Sequence, residues 1–300
     1  MIVMTNFKYN ILVPMDFSEH AEFALEQAIK VAKLTSGEVN LLYVHLDKKG
    51  VLAQLFSEKH ADLFDEAVKD KLKKLAEDKH DETDVVFNYD LVHASSVANK
   101  IVEVATEKQS AMIVMGKGRL YDEGVERFVI GSVTSRVIRY SNIPVITVGR
   151  PCGEGVCRNI MLPLDLSKDT RQKVSWGIQM AKIFGANIKV VSALWDADKP
   201  EVVKPLKAQM KQVERFIRDA GVKVESKMVE ASEDAKSLVP IMMKYIVASG
   251  DVDLVLIMTQ QENDFSSFFL GSTATEFIRK STVPVMSIVP REIGNIVLGL

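Results

Sequence analysis

With 300 residues, 47% of them apolar, the chain is too long for one ordinary domain and long enough for two that each bury a core. Its 38 basic and 40 acidic side chains leave a net charge of −2, so no basic excess marks nucleic acid or an anionic membrane as a partner. The first ten residues lack the basic, apolar and small-residue succession of an export signal. No apolar stretch approaches the roughly 18 residues of a membrane span, so the expectation is a soluble cytoplasmic protein.

The first clear unit is Tyr9-Asn-Ile-Leu-Val-Pro-Met-Asp-Phe-Ser18, a short apolar run closed by Pro14 and Asp16, which suits a strand buried on both faces. Ser18 is placed to cap a helix from about Glu19 to Leu34, with Phe23, Ala24, Ala28, Val31 and Ala32 at helical spacing, and Gly37 to end it. Val39 to His45 reads as a second strand and Val51 to about Lys79 as a long amphipathic helix. A third strand (Asp84 to Val92), a helix (Val97 to Lys108) and a fourth strand (Met112 to Met115) follow. The fourth strand enters the glycine-bearing stretch Met115-Gly-Lys-Gly-Arg119, and Gly131-Ser132 then opens a helix to Tyr140. Pro144 announces a fifth strand, Val145 to Val148. Glycine lets backbone approach an anion closely, and a helix start offers N–H groups and the positive end of its dipole. This stretch is therefore a candidate phosphate holder.

The pattern is then written a second time. Asn159-Ile-Met-Leu-Pro-Leu-Asp-Leu-Ser167 repeats Asn10 to Ser18 at an offset of 149 residues, and Leu270 to Val285 repeats Ile130 to Val145 at an offset of 140. Two matched blocks in the same order mean a duplicated domain. The second copy supplies helices at Thr170 to Phe184, Val202 to Ala220 and Ala235 to Ser249, and strands at Ile188 to Leu194, Val222 to Val229 and Leu254 to Met258. The boundary falls in Arg150-Pro-Cys-Gly-Glu-Gly-Val-Cys-Arg158, giving domains 1–150 and 151–300, each an α/β sandwich around a five-stranded, mainly parallel sheet. The two cysteines, Cys152 and Cys157, lie in that segment, which is no disulfide framework. They read as linker residues, with a redox pair as the alternative.

In a doubly wound sheet, ligands sit beyond the C-terminal strand ends where strand order reverses. Asp16 and Asp165 end their first strands, and the glycine stretch follows the fourth. If strands one and four are neighbours, a carboxylate for ribose or base and a phosphate holder face one crevice; the alternative is that Asp16 helps Ser18 cap the helix.

Taken together, strand-Pro-x-Asp-x-Ser, a strand ending in Met-Gly with a glycine loop, Gly-Ser-Val before a helix and Pro-Val on the last strand resemble the universal stress protein family, twice over as in its tandem members. The resemblance implies Rossmann-like sheets in the order 3-2-1-4-5. It also implies an adenine nucleotide, ATP with or without Mg, in the first domain, with Asp16 and the backbone near Val44 receiving adenosine. Gly116, Gly118, Gly131, Ser132 and Val133 would receive phosphate. It implies a stress-response or signalling role with at most slow ATP hydrolysis, not a true enzyme, and fifth strands near Ile146 and Ser287 that pair the two domains, as a monomer resembling a dimer or as a homodimer. The alternative reading is an interaction scaffold without nucleotide. ATP-binding members carry two residues between their first loop glycines and nine before the next; here Lys117 alone separates Gly116 from Gly118, and twelve residues separate Gly118 from Gly131. Lys117, Arg119 and Arg127 are then available as counter-charges, with Gly124 extra. In the second half no glycine stands between Met258 and Gly271, and Glu262 and Asp264 add negative charge. Asp165, Gly271 and Ser272 persist, but usual ATP binding is not expected there.

The remaining signals carry less. His45 ends its strand and His93 precedes a small-residue turn, both near strand ends that could border the crevice. No third ligand stands beside them in sequence, so neither is assigned a metal or catalytic role. Lys69 to Lys74 reads as a solvated helix face, and the apolar tail Glu292 to Leu300 as packed on the body or a second subunit. A Walker loop, a nucleophile elbow and a lysine- or histidine-rich nucleotidyl-transfer signature are not present in the sequence.

Overall fold

Strands and helices alternate twice in the computed structural model, which describes residues 9–47, 58–122, 125–151, 157–164, 170–194, 197–231, 237–259 and 272–289. The first repeat comprises β1 (Asn10–Pro14), α1 (Glu19–Thr35), β2 (Glu38–Leu46), α2 (Glu58–Thr83), β3 (Val86–Ala94), α3 (Val97–Glu107) and β4 (Met112–Gly116). It continues through a hairpin of β5 (Gly118–Asp122) and β6 (Val125–Val129) to α4 (Ser132–Tyr140) and β7 (Val145–Val148). The second comprises β8 (Asn159–Leu164), α5 (Thr170–Phe184), β9 (Asn187–Leu194), α6 (Pro200–Asp219), β10 (Val224–Glu230), α7 (Leu238–Ser249), β11 (Leu254–Met258), α8 (Ser272–Lys280) and β12 (Val285–Ile288). The described residues fall into two compact units, one drawn from 9–118 and 131–151, the other from 119–130 and 157–289; the hairpin beyond Gly118 thus groups with the second.

Within the first unit the parallel strands stand in the order β3-β2-β1-β4-β7, and within the second in the order β10-β9-β8-β11-β12, the 3-2-1-4-5 arrangement each time. Even the register is duplicated. Ile11 pairs with Val39 on one side and Met112 on the other, and Ile160 pairs with Ile188 and Leu254. The central strands are apolar because helices cover both faces: Ile11, Leu12 and Val13 of β1 and Ile160, Met161 and Leu162 of β8 are fully buried.

Local chemistry sets the helix ends. Ser18 caps α1 by accepting the Ala21 amide at 3.3 Å, as its position predicts. The other end differs from expectation: the left-handed residue is Ser36 (φ 50°), not Gly37. Gly37 is needed for closeness instead, since a Cβ there would lie 2.4 Å from the Tyr9 carbonyl oxygen. In α2 the buried residues Val68, Leu72 and Ala76 recur every fourth position, so the charge run between them faces solvent. Lys71 departs from a purely solvated role, its ammonium 4.0 Å from the centroid of the Phe17 ring. Residues 51–57 of the expected helix lie outside the described residues, as do residues 292–300. Among the described residues no helix is long and apolar enough to cross a membrane.

One packing exchange links the repeats. A Cβ on Gly177 of α5 would stand 2.6 Å from Leu162 Cδ1 on β8. The corresponding residues of the first repeat are Ala28 and Val13, both fully buried. The corresponding pair is alanine and valine in the first unit and glycine and leucine in the second, with volume moved from one element to the other and little changed in total.

Candidate functional site

Beta strands β1 and β4 are neighbours, with Ile11 beside Met112 and Leu12 beside Ile113. From there the chain order runs one way through β2 to β3 and the other way to β7, so the residues that follow β1 and β4 emerge at a topological switch point. Asp16 is exposed there. One carboxylate oxygen accepts the Ser18 amide at 3.0 Å, an Asx-type turn that holds the side chain in place and leaves the capping of α1 to Ser18. Phe17 between them has φ 59°, an uncommon conformation for a bulky side chain and of the kind found at ligand sites. Its ring stacks on Tyr43 at 6.0 Å between centroids. The Tyr43 hydroxyl is held above its ordinary range by burial, then by the charges of Asp16 and Asp65.

Val44 lies on β2 beyond the point where β1 stops. The Leu42 carbonyl accepts the Met15 amide at 2.8 Å. Strand alternation turns the amide and carbonyl of Val44, two residues on, to that same side of β2, past the end of β1. A donor and an acceptor side by side match an adenine edge, which offers a ring nitrogen next to an exocyclic amine.

Beyond β4 the rearranged glycine-bearing stretch forms regular structure rather than an open loop. Gly116 is the last residue of the strand and Gly118 the first of β5, and the hairpin of β5 and β6 occupies the stretch from Gly118 towards Gly131. Gly116 has a packing reason: a Cβ there would lie 2.6 Å from both Cβ and the carbonyl oxygen of His20 on α1. Its own carbonyl accepts the Thr134 hydroxyl at 3.1 Å, tying the first turn of α4 to the end of β4. Gly131 and Gly118 lie side by side, with a Cβ built on Gly131 3.9 Å from the Gly118 Cα. Gly131 is the N-cap of α4 and has no side chain to cap the helix. Ser132 is exposed and Val133 half-buried. This helix start is therefore a place where backbone N–H groups and the helix dipole favour an anion.

Lys117 corrects the expectation of a counter-charge reaching a phosphate. Its amide extends the pairing of β4 with β7 by donating to the Val148 carbonyl at 2.8 Å, and its side chain is only 2% exposed. Burial, then the nearby charge of Arg150, pushes its ammonium down to about 7. Gly124 and the side chains of Arg119 and Arg127 lie outside the described residues.

A family model described as the universal stress protein family matches residues 9–149 and again residues 157–288. The chain belongs to this family. As a tandem universal stress protein it is 35% identical over 154 residues to Universal stress protein MJ0531 of Methanocaldococcus jannaschii, covering 49% of this chain and 85% of that one. It is also 32% identical over 155 residues to Universal stress protein MJ0577 of the same organism, covering 47% of this chain and 94% of that one. The crystal structure of a universal stress protein from Archaeoglobus fulgidus aligns with 93% of this chain and 98% of its own at a TM-score of 0.71 and 17% identity, a likeness of fold.

In the second unit of this universal stress protein, Asp165, Gly271 and the stretch from Gln260 lie outside the described residues. Ser272 begins α8 and is exposed. Sequence reasoning missed one group. Asp65 of α2 supplies, between His45 and His93, the third polar side chain that spacing along the chain did not reveal. A residue 20 positions from one partner and 28 from the other follows no local motif.

Proposed function

We propose that the first unit binds an adenine nucleotide, ATP with or without Mg, in the crevice beyond β1 and β4. The bound state would serve stress response or signalling, not turnover. The adjacency of β1 and β4 carries the reading, because it sets Asp16 and the Val44 backbone at the same end of the sheet as the uncapped start of α4. The adenine edge meets Val44, a ribose hydroxyl donates to Asp16, and phosphate oxygens accept from the amides at Gly118, Gly131, Ser132 and Val133, with Gly116 contributing backbone only. Membership of the universal stress protein family supports this reading. The domain limits we propose are 1–150 and 151–300, with the hairpin an insertion in the first.

Calorimetric titration of ATP into nucleotide-free full-length protein tests it, with Asp16→Ala, Gly131→Asp and Asp165→Ala alongside. Gly131→Asp is a useful probe, since among the described residues the nearest atom to the new Cβ is 3.7 Å away and the added carboxylate repels phosphate. Binding that is weakened by Asp16→Ala and Gly131→Asp and untouched by Asp165→Ala is the expected result. No heat with the unmutated protein leaves an interaction scaffold, and loss only with Asp165→Ala moves the site to the second unit. ATP hydrolysis near or above about 1 per second in the same sample refutes the non-enzymatic reading.

A further inference from the structure

The ends of β2 and β3 bring two histidines together in register, His45 opposite His93, with rings stacked at 4.6 Å between centroids. Asp65, projecting from α2, faces both: one carboxylate oxygen is 2.7 Å from His45 Nδ1 and the other 2.6 Å from His93 Nε2. Asp47, just past β2, lies on the far side of the His93 ring, its oxygen 3.1 Å from Nδ1. One atom from each of His45, Asp65 and His93 falls within 4.8 Å of the other two.

We propose that His45, Asp65 and His93 form a binding site for a divalent transition metal of the zinc class, with Asp47 as the carboxylate that orients His93. Proton counting motivates it. A neutral imidazole carries a single N–H, yet both nitrogens of His93 face carboxylate oxygens, so one of the two contacts calls for either a second proton or a metal ion. A metal ion on the Asp65 side meets that need. The Nδ1–H of His93 then donates to Asp47, which leaves the Nε2 lone pair directed at the ion, the carboxylate–histidine–metal arrangement that fixes tautomer and ring orientation.

Two imidazoles and one carboxylate are a donor set that zinc and its neighbours accept, with a fourth position left for water or a ligand. The exposure of the site suits such an opening: the side chain of Asp65 is 16% exposed, that of His45 26% and that of His93 46%. Bonds of about 2.0–2.1 Å in tetrahedral geometry set ligand atoms roughly 3.3 Å apart, so metal entry requires each nitrogen–oxygen contact to open by about 0.6 Å. Rotation of the exposed His93 side chain, with small adjustments of the half-buried His45 and Asp65, can supply such a shift.

The test uses the full chain, treated with chelator, dialysed and free of nucleotide, so that its outcome is independent of ATP binding. Zn²⁺ is titrated alone against a competing chromophoric chelator, and Co²⁺ is used as a spectroscopic probe. The expected result is one equivalent bound with micromolar or tighter affinity and visible Co²⁺ absorption of four- or five-coordinate intensity. His93→Ala and Asp65→Asn should each weaken binding about 100-fold or more, and Asp47→Asn about 10-fold. A Cys152→Ser/Cys157→Ser variant should bind as the parent does. Should a ligand variant unfold, the imidazole NMR signals of His45 and His93 in the unmutated protein must still shift on addition of Zn²⁺. Absence of binding at about 100 μM metal, equal affinity in the folded Asp65→Asn variant, loss in the cysteine variant, or unmoved His45 and His93 signals would each overturn the site.

Discussion

At the end of β4 the first repeat places Gly116 and Lys117 where the second, in the same register at the end of β11, places Met258 and Thr259. Gly116 pairs with Val148 as Met258 pairs with Ile288. The following amides, of Lys117 and Thr259, donate to the Val148 and Ile288 carbonyls at 2.8 and 3.0 Å, and both side chains are buried. The scaffold is therefore the same to the last ladder bond, and the difference lies in what each strand end must accommodate. In the first unit it receives the backbone of α1 at His20 and carries a buried amine. In the second it receives neither a glycine nor a charge. A duplicated fold can hold its hydrogen-bond frame constant while the residues at the crevice diverge, because the frame depends on backbone and the crevice on side chains.

Exchanging residues between the repeats tests how deep the difference runs. The largest effect is expected from Gly116→Met, which installs the residue of the second repeat. Its Cβ meets His20 backbone at 2.6 Å, an atom that cannot swing aside, so chemical denaturation should show a loss of about 3 kcal/mol. A loss under about 0.5 kcal/mol would mean that the two strand ends are interchangeable.

Lys117→Met comes next, with the opposite sign. The folded state holds the Lys117 ammonium at about 7, below its ordinary value, so between that pH and about 10.5 the unfolded chain carries a proton that the folded chain lacks. Stability attributable to this group therefore rises with pH through that window and is lowest at or below neutrality. Lys117→Met should gain about 2 kcal/mol at pH 7, and the gain should shrink towards pH 10; a gain independent of pH would assign the effect to packing.

The alanine–valine pair of the first unit can be rewritten as the glycine–leucine pair of the second. Val13→Leu alone should cost about 2 kcal/mol and Ala28→Gly alone about 1 kcal/mol, whereas the double variant should cost less than their sum by about 1 kcal/mol. Strict additivity would show that Val13 and Ala28 do not share the contact that Leu162 and Gly177 share.

The smallest expected effect is at the end of α1. Ser36 holds a left-handed conformation at φ 50°, and the second repeat has Gly185 at the corresponding place, at φ 64°. Ser36→Gly should raise stability by about 0.5–1 kcal/mol, read as a small rise in thermal midpoint.

Much of the fold was legible because its signals are local. Apolar runs bounded by proline and glycine placed the strands, Ser18 marked the start of α1, and Ser132 to Tyr140 and Thr170 to Phe184 were read at their observed limits. Legibility failed where a residue type has two uses. Gly37 read as the residue that ends the helix, but its glycine answers to the close approach of Tyr9. The run Gly116-Lys-Gly118 read as a loop, yet its first glycine closes a strand and its second opens a hairpin.

The duplication, the alternation of strand and helix, the parallel sheets that follow from it and the place of Asp16 at the end of β1 can all be read from the chain of residues alone. Each is written in the periodicity and turn chemistry of neighbouring residues. That Gly116 is small for the sake of His20, that Lys117 is enclosed and that Asp65 stands between His45 and His93 emerge from the folded arrangement. Those facts depend on which elements the fold brings together across tens of residues, and no local pattern in the chain encodes that distance.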